Sequence, residues 1–181
     1  MSGAGAGFDA ARAMEALGSR GFAGGGDAVS LSREKPVLVV FLRHFGCTFC
    51  REAAKDVADG RGAIEEKAAL VFVHMGSGAQ GDAFFERYGL SDVRHVSDPK
   101  GELYEAFGLG RGSLGQLFGL PVWVRGFKAG VVDGHWVGKL VGDGFRMPGV
   151  FRIEDGKVTA EFRHRHAGER PDYGELAGTA G

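Results

Sequence analysis

The two cysteines of this 181-residue chain, Cys47 and Cys50, are three positions apart and closely follow a strongly apolar segment. That segment, Pro36–Leu42, is rich in β-branched residues, which is typical of a strand buried on both faces. A short turn containing Gly46 then leads into a stretch whose apolar residues recur at helical spacing. The sequence therefore predicts a buried strand that ends in a turn and places both cysteines at the start of a helix.

A cysteine at the start of a helix is chemically activated. Unpaired backbone N–H groups and the helix dipole favour a negative sulfur there and lower thiol pKa values from about 8.5 to about 3.5–7.5. Cys47 is therefore the predicted attacking thiol, and Cys50, one turn further along, is the predicted resolving thiol. Thr48 and Phe49 between them are expected to tune the reduction potential. His44 either stabilises the thiolate or caps the turn.

The remaining apolar runs predict an α/β fold. A strand–helix–strand order indicates a right-handed parallel βαβ unit, and Asp155-Gly156 indicates a late hairpin. The predicted strands are Pro36–Leu42, Ala68–Val73, Arg94–Ser97, Val150–Glu154 and Lys157–Arg163. The predicted helices are Phe8–Leu17, the segment from Cys47 to Gly60, Ala79–Tyr88, a segment opened by Asp98 with Pro99 at its first position, Ser113–Phe118, Val122–Ala129 and Tyr173–Leu176.

The length fits one domain, at about 100–200 residues per domain, although glycine is frequent, with 33 residues. Glycine loses more conformational freedom on folding than other residues, so loose segments are expected outside the core. We expect a flexible or loosely docked N-terminal arm at 1–30, a folded domain at 31–175 and a C-terminal tail at 176–181. Residues 108–145 show no clear period and are expected to form a partly helical insertion beside the sheet.

Charge and hydropathy exclude two classes of partner. Lys and Arg number 22 and Asp and Glu 23, a net charge of −1, so the chain does not coat nucleic acid or anionic lipid by bulk charge. Its longest apolar runs span about six residues, where a membrane-spanning helix needs about 20. Asp9, Arg12 and Glu15 stand where a secretory signal would be apolar. These features predict a cytoplasmic protein in a reducing compartment, with neither a nucleic-acid nor a membrane partner.

Zinc binding is the main alternative for the cysteine pair. Two cysteines supply half of the four ligands of a structural zinc site, and His164 and His166, on one side of a strand, are candidates for the others. The strand–turn–helix context favours redox chemistry instead, and we expect no cofactor. Among the other basic side chains, His95 is expected at an edge or on the surface, and residues 163–166 are interpreted as a solvated edge strand.

Three stretches carry a family resemblance. They are FLRHFGCTFCREAA at 41–54, SDPKGELYEAFGL at 97–109 and GFRMPGVFRI at 144–153, the last followed by the segment from His164 to Tyr173. Together they resemble the peroxiredoxin-like branch of the thioredoxin superfamily, which is grouped with the alkyl hydroperoxide reductase and thiol-specific antioxidant proteins. The resemblance implies a thioredoxin-like three-layer α/β/α fold with a mixed central sheet, and thiol-dependent redox chemistry.

The resemblance also implies roles for particular residues. By position in the motif, Cys47 is the peroxidatic or nucleophilic sulfur and Cys50 the resolving one. Typical members place a threonine where this chain has His44. They also place an arginine near the start of the late strand, where this chain has Pro148, with Arg146 two residues earlier as a substitute.

A proline before a late strand is where thioredoxin-fold proteins keep a cis peptide bond beside the dithiol. We therefore expect the Met147–Pro148 bond to be cis, which would present the Met147 backbone to an incoming thiol substrate. The predicted catalytic residues are thus Cys47, Cys50 and Pro148. The predicted substrate-binding residues are His44, Thr48, Phe49, Arg146 and Met147.

Two functions remain open at this stage. The first is a peroxiredoxin-like thiol oxidoreductase that reduces a hydroperoxide or a disulfide and is reset by an external thiol, either a thioredoxin-like protein or glutathione. The second is a redox-sensing or partner-binding module without fast turnover, with residues 108–145 as its partner surface. A Cys47 thiol pKa above about 8.5 would favour the second function.

Overall fold

A computed structural model describes residues 8–23, 25–43, 45–112, 145–166 and 168–179. His44 and the predicted helices Ser113–Phe118 and Val122–Ala129 lie outside these ranges. The strands within them are β1 (Val37–Phe41), β2 (Ala69–His74), β3 (Arg94–Ser97), β4 (Gly149–Glu154) and β5 (Lys157–Arg163). The helices are α1 (Ala10–Gly18), α2 (Ala28–Leu31), α3 (Thr48–Asp59), α4 (Arg61–Glu65), α5 (Gly78–Glu86), α6 (Glu102–Ala106) and α7 (Tyr173–Gly178).

The five strands form one mixed sheet in the order β3-β2-β1-β4-β5. Strands β1, β2 and β3 are parallel to one another, whereas β4 pairs antiparallel with both β1 and β5. Every residue of the central strand β1 is buried, as its continuous apolar run predicts. The predicted parallel unit, late hairpin and mixed central sheet are confirmed.

Helices cover both faces of the sheet, so the described chain has three layers. Alternate β1 residues point to opposite faces: Leu38 and Val40 join the core under α3, α4, α5 and α7. Val37 and Val39 join the core under α1, α2 and α6. The helix that carries the cysteines therefore packs on the first face and begins at the carboxyl edge of β1, where binding sites of open α/β sheets form.

Helix α1 belongs to the folded body. Asp9 caps it by accepting hydrogen bonds from the backbone N–H groups of Ala11 and Arg12. On its inner face, Ala13 and Leu17 are completely buried against the second core. For residues 1–30 the sequence allowed either a flexible arm or a loosely docked one, and helix α1 of this segment is docked.

Gly60 ends α3, as predicted, and also directly precedes the short helix α4. One local prediction differs from the structure. Helix α6 begins at Glu102 rather than at Pro99, which lies in the preceding turn. The buried carboxylate of Asp98 accepts the N–H groups of Glu102 and Leu103 at 3.2 and 2.8 Å, so it caps the helix from four residues away.

The Met147–Pro148 peptide bond is trans, so the expected cis bond is wrong. Arg146 forms an antiparallel bridge with Arg111, and the Met147 N–H donates to the Gly110 carbonyl at 3.1 Å. The chain is thus already paired as it runs into β4 and makes no reversal at the proline. Without a turn that requires cis, the trans form is favoured by about 0.5–1 kcal/mol.

Tyr104 of α6 links the carboxyl ends of two strands below the cysteines. Its side chain is fully buried, and its hydroxyl donates to the carbonyl of Leu42 and lies 3.2 Å from that of Val73. Burial raises the pKa of this phenol well above its ordinary value, so it remains a donor. The contact joins the ends of β1 and β2 immediately before the turn that leads to Cys47.

Candidate active site

The two cysteines occupy the first turn of α3. Cys47 is the residue that precedes the helix, with an extended backbone, and Cys50 lies inside its first turn. Both are free thiols, and both are buried, with 6% and 3% of their surface exposed. The strand–turn–helix arrangement predicted from the sequence is thus present, with both thiols at the carboxyl edge of β1.

Arg43 joins the two sulfurs to the strand end. Its backbone N–H donates to Cys50 Sγ at 3.1 Å, and its guanidinium Nη1 donates to Cys47 Sγ at 3.3 Å. The same guanidinium is held from behind, because its Nε donates to the carbonyl oxygen of Arg146 at 3.2 Å. Since Arg43 is itself buried, its charge acts on Cys47 with little screening by water.

These contacts lower the pKa of the Cys47 thiol from 9.0 to about 6. The largest cause is the hydrogen bond from the Cys50 thiol, while burial opposes the shift. The positive charge of Arg43 and the N–H groups of Phe49 and Cys50 lower the pKa further. At neutral pH Cys47 is therefore mostly a thiolate, the form that attacks electrophiles.

The structure brings most of the predicted site residues together. Thr48 is buried in the first turn of α3, and Met147 is buried against Phe49. Pro148 lines a small cavity together with Cys50. Phe49 and Pro148 thus lie at one cavity with Cys50, whereas His44 lies outside the described residues, and the substrate-binding roles of these residues stay predictions.

Arg146 is oriented differently from the expectation. Its guanidinium Nη2 contacts Glu105 Oε1 of α6 at 2.6 Å, and it lies over Gly101. The residue contributes its carbonyl oxygen to the site, as the acceptor that fixes Arg43. The guanidinium on Cys47 is that of Arg43, for which the sequence predicted no role, although a cation four residues before a helix-initiating thiol was a usable signal.

A cavity of about 20 Å³ lies behind Cys50, large enough for about one water molecule. Its walls include Pro148 and His164. The ring of His164 is largely removed from water, and this burial lowers its pKa to about 4, although the nearby charge of Glu169 opposes the shift. His164 is therefore not solvated, so the interpretation of residues 163–166 as a solvated edge strand is wrong for this residue.

An ion-pair cluster closes the outer side of this cavity. Arg170 Nη1 lies 2.9 Å from Glu52 Oε1, and its Nε lies 2.8 Å from Asp56 Oδ2. Glu52 is only 5% exposed despite its charge. Because Arg170 follows β5, its pairing with α3 folds the C-terminal segment over the cysteine helix.

A network of polar side chains lies beneath the loop that precedes Cys47. His74 Nε2 and His95 Nδ1 are 2.9 Å apart, and His95 Nε2 lies 2.9 Å from Asp82 Oδ1. The ring of Phe45 packs on His74 with 4.9 Å between centroids. Burial lowers the pKa of His74 to about 3, so it is neutral at physiological pH. His95 lies on the edge strand β3, as expected, and is also one member of this network.

Two kinds of feature are absent from the described part of the chain. Within residues 8–23, 25–43, 45–112, 145–166 and 168–179, no three His, Cys, Asp or Glu side chains are grouped so that they could hold a metal ion. In the same ranges, no helix is both long and apolar enough to cross a bilayer.

Comparison with known proteins places the chain in context. A profile of the AhpC/TSA antioxidant enzyme family matches residues 62–168, more than half of the chain. Human peroxiredoxin-like 2C is 32% identical over 85 residues, which cover 46% of this chain and 37% of that protein. The Arabidopsis thaliana protein named thioredoxin-like protein AAED1, chloroplastic, is 33% identical over 107 residues, which cover 58% and 43%. The chain thus spans about two fifths of the length of these curated relatives.

Solved structures of similar shape agree on the fold. Peroxidoxin BcpB from Mycobacterium tuberculosis superposes with a TM-score of 0.56 at 19% identity, covering 82% of each chain. Peroxiredoxin Q from Xanthomonas campestris superposes with a TM-score of 0.59 at 15% identity, covering 90% of this chain and 87% of the other. The expected thioredoxin-like α/β fold is confirmed by these likenesses. The profile match begins after Cys47 and Cys50, so it does not test the roles of the two thiols.

Proposed function

Because this chain belongs to the AhpC/TSA antioxidant enzyme family, we propose that it is a peroxiredoxin-like thiol oxidoreductase that reduces a hydroperoxide or a disulfide. Cys47 is the attacking residue and Cys50 the resolving residue. The observation that carries the proposal is the Cys47 sulfur at the start of α3, with a pKa of about 6 and the Arg43 guanidinium at 3.3 Å. That arrangement supplies a reactive thiolate with a second thiol within reach.

With a hydroperoxide the reaction has two steps. The Cys47 thiolate attacks the terminal oxygen, the O–O bond breaks, and the departing alkoxide or hydroxide takes a proton, which leaves Cys47 as a sulfenic acid. Cys50 then attacks the Cys47 sulfur, the S–S bond forms, the S–O bond breaks, and the Cys50 proton leaves with the hydroxide as water. Two electrons pass from the dithiol to the peroxide.

Arg43 is the residue placed to assist the first step. A fixed positive charge beside the sulfur stabilises both the thiolate and the negative charge that develops on the departing oxygen. The contact with the Arg146 carbonyl holds that charge in place before substrate arrives. Thr48, Phe49, Met147 and Pro148, which surround the dithiol, form the proposed substrate contacts in the described part of the chain.

The product disulfide has to be reduced before another turnover. An external thiol, from a thioredoxin-like protein or from glutathione, attacks it and is itself oxidised. The proposal therefore includes a reducing compartment, with the cytoplasm as the first candidate. It includes no cofactor, because the two sulfurs carry both electrons, and no nucleic-acid or membrane partner.

A redox-sensing or partner-binding module is the alternative function. A partner-binding module needs no reactive sulfur, whereas the hydrogen bond from Cys50 and the charge of Arg43 lower the pKa of Cys47 and make it reactive. This observation favours the enzyme.

Turnover measurements on three proteins test the proposal. Wild-type protein with dithiothreitol should consume hydrogen peroxide, an organic hydroperoxide or a small disulfide catalytically. Cys47→Ser should abolish consumption, and reduced Cys50→Ser, freed of dithiothreitol before the oxidant is added, should stop after one equivalent, leaving a sulfenic acid or a mixed disulfide on Cys47. The preferred oxidant identifies the substrate class. Full turnover by Cys47→Ser would refute the assignment.

A further inference from the structure

An open groove runs beside the dithiol between α3 and α5, with a volume of about 340 Å³. This value falls in the range of about 300–1,000 Å³ that is typical of small-molecule sites. The lining side chains used below are Phe45, Arg51, Gln80, Phe84, Arg87 and Tyr88. We call it the α3–α5 groove, and the chemistry assigned to the active site does not use it.

The groove adjoins the reactive thiols at its α3 end. Phe45 is two residues before Cys47, and Arg51 directly follows Cys50. The Arg51 backbone N–H donates to the Cys47 carbonyl at 3.2 Å, so this arginine is part of the turn that contains both cysteines. Neither cysteine lines the groove itself, so a ligand would reach the dithiol from the Arg51 end, across the first turn of α3.

The floor of the groove is aromatic and firmly packed. Phe45 and Phe84 stack with 4.4 Å between ring centroids, and Tyr88 follows with its ring 5.2 Å from Phe84. Both phenylalanines are less than a tenth exposed. This floor offers van der Waals contact to the methylene groups and peptide planes of a small ligand.

The rim of the groove is positively charged. Arg51 lies half-buried on α3 and interacts with another group of the protein, whereas the exposed Arg87, at the end of α5, makes no ion pair within the described ranges. Both charges lower the pKa of the Tyr88 phenol, against the larger opposing effect of burial, so both guanidinium groups lie close to this ring. No carboxylate lines the groove in the described part of the chain, and Gln80 adds an uncharged amide.

We propose that the α3–α5 groove binds a small anionic peptide thiol of the glutathione type, which reduces the Cys47–Cys50 disulfide. A carboxylate of the ligand pairs with Arg87, the positive charge of Arg51 adds to the attraction, and the ligand's backbone lies on the aromatic floor. This inference rests on the proposed function, because it names the external reductant of the same dithiol. A groove of this volume accommodates a tripeptide but not the face of a folded protein.

The reduction balances with two molecules of ligand. The ligand thiolate attacks one sulfur of the disulfide, a mixed disulfide forms, and the other cysteine leaves as a thiolate and takes a proton. A second ligand thiolate then attacks the ligand sulfur of the mixed disulfide, releasing oxidised ligand and the reduced dithiol. The two electrons come from the two ligand thiols, so no further reductant is required.

The test is the reductive half-reaction, which needs no peroxide. Full-length protein is oxidised to the disulfide with diamide, and its reduction is followed with glutathione, with cysteamine, which lacks carboxylates, and with dithiothreitol. Rates are compared per thiolate. Arg87→Ala should lower the second-order rate constant with glutathione about two- to fivefold, as expected for the loss of one exposed ion pair, and Arg87→Lys should recover part of it.

A matched control separates binding from net charge. Arg33 is also exposed but precedes β1, at the opposite edge of the sheet from the cysteines. Arg33→Ala should therefore leave the glutathione rate constant unchanged, whereas the Arg87→Ala defect should shrink as salt is added. S-methylglutathione, which cannot react, should bind reduced wild-type protein more tightly than Arg87→Ala in an equilibrium titration.

The outcomes distinguish this inference from the proposed function. If glutathione reacts no faster than cysteamine, or if Arg87→Ala equals wild type, the groove assignment is overturned while peroxide oxidation of the dithiol stands. Reduction by a thioredoxin alone would also overturn it. If the reduced protein resists peroxide and disulfides but its diamide-made disulfide is reduced as described, the proposed function fails while the groove still binds the thiol.

Discussion

Removal of the Arg43 guanidinium should raise the pKa of the Cys47 thiol. In the structure this charge lies 3.3 Å from Cys47 Sγ, is buried, and is fixed by the carbonyl of Arg146. The variants Arg43→Met and Arg43→Lys separate its contributions. Methionine removes the charge, whereas lysine keeps a charge but cannot donate to both acceptors in the same fixed geometry.

The size of the effect follows from the contacts. The lowering of the Cys47 pKa from 9.0 to about 6 corresponds to ~4 kcal/mol in favour of the thiolate. An opposite charge within about 4–6 Å accounts for about 1–3 pKa units, so Arg43→Met should raise the pKa by that amount. At pH 7 the thiolate fraction would then fall from about nine tenths to about one half or less.

The assay is the pH dependence of alkylation at Cys47, followed by peptide mass spectrometry so that Cys50 is resolved separately. The midpoint should move upward in Arg43→Met and by a smaller amount in Arg43→Lys. Arg33→Met, on the far edge of the sheet, is the matched control and should not move it, and thermal melting checks that each variant is folded. An unchanged Cys47 midpoint in folded Arg43→Met would refute the electrostatic role of Arg43.

Three further outcomes are expected. The Cys47 pKa is lowered on folding, so its thiolate contributes stability that is fully present above pH 9.0 and lost as pH falls to about 6; urea unfolding of the reduced protein should show this slope, and Cys47→Ser should lack it. Leu17→Ala should cost about 2–5 kcal/mol in the same assay, because Leu17 is fully buried in the core under α1; a change below about 0.5 kcal/mol would mean that α1 is not docked. Tyr104→Phe should cost about 1–3 kcal/mol, because the buried Leu42 carbonyl loses its donor; an unchanged unfolding midpoint would contradict that hydrogen bond.

The sheet was predictable because its strands are encoded locally. Continuous runs of branched apolar residues place β1 and β2 within a residue or two of their observed bounds, and Arg94–Ser97 is observed as predicted. The start of α6 was not predictable in this way. Its cap is the carboxylate of Asp98, which reaches the helix from four residues away, so the local proline signal at Pro99 was misleading.

The site was predictable in its sulfur chemistry but not in its charges. The positions of Cys47 and Cys50 follow from the strand–turn–helix pattern alone. Which arginine faces Cys47 depends instead on contacts between distant segments. The carbonyl of Arg146, about one hundred positions along the chain, orients the Arg43 guanidinium, and Glu105 orients the guanidinium of Arg146. Similarly, the charge of Glu52 predicts an exposed side chain. Its burial is explained only by its pairing with Arg170.

The central claim is that Cys47 attacks and Cys50 resolves. The most direct measurement mixes the reduced protein with one equivalent of hydrogen peroxide in a stopped-flow instrument and follows the intact mass. We expect rapid loss of two hydrogen atoms, with Cys47 and Cys50 linked in the digested protein, and accumulation of a one-oxygen adduct in Cys50→Ser. Slow oxidation by peroxide but fast exchange with a disulfide would leave the two roles intact and make the protein a disulfide reductase. A protein that stays reduced with both oxidants, or a Cys47→Ser variant that is oxidised as fast as wild type, would contradict the account.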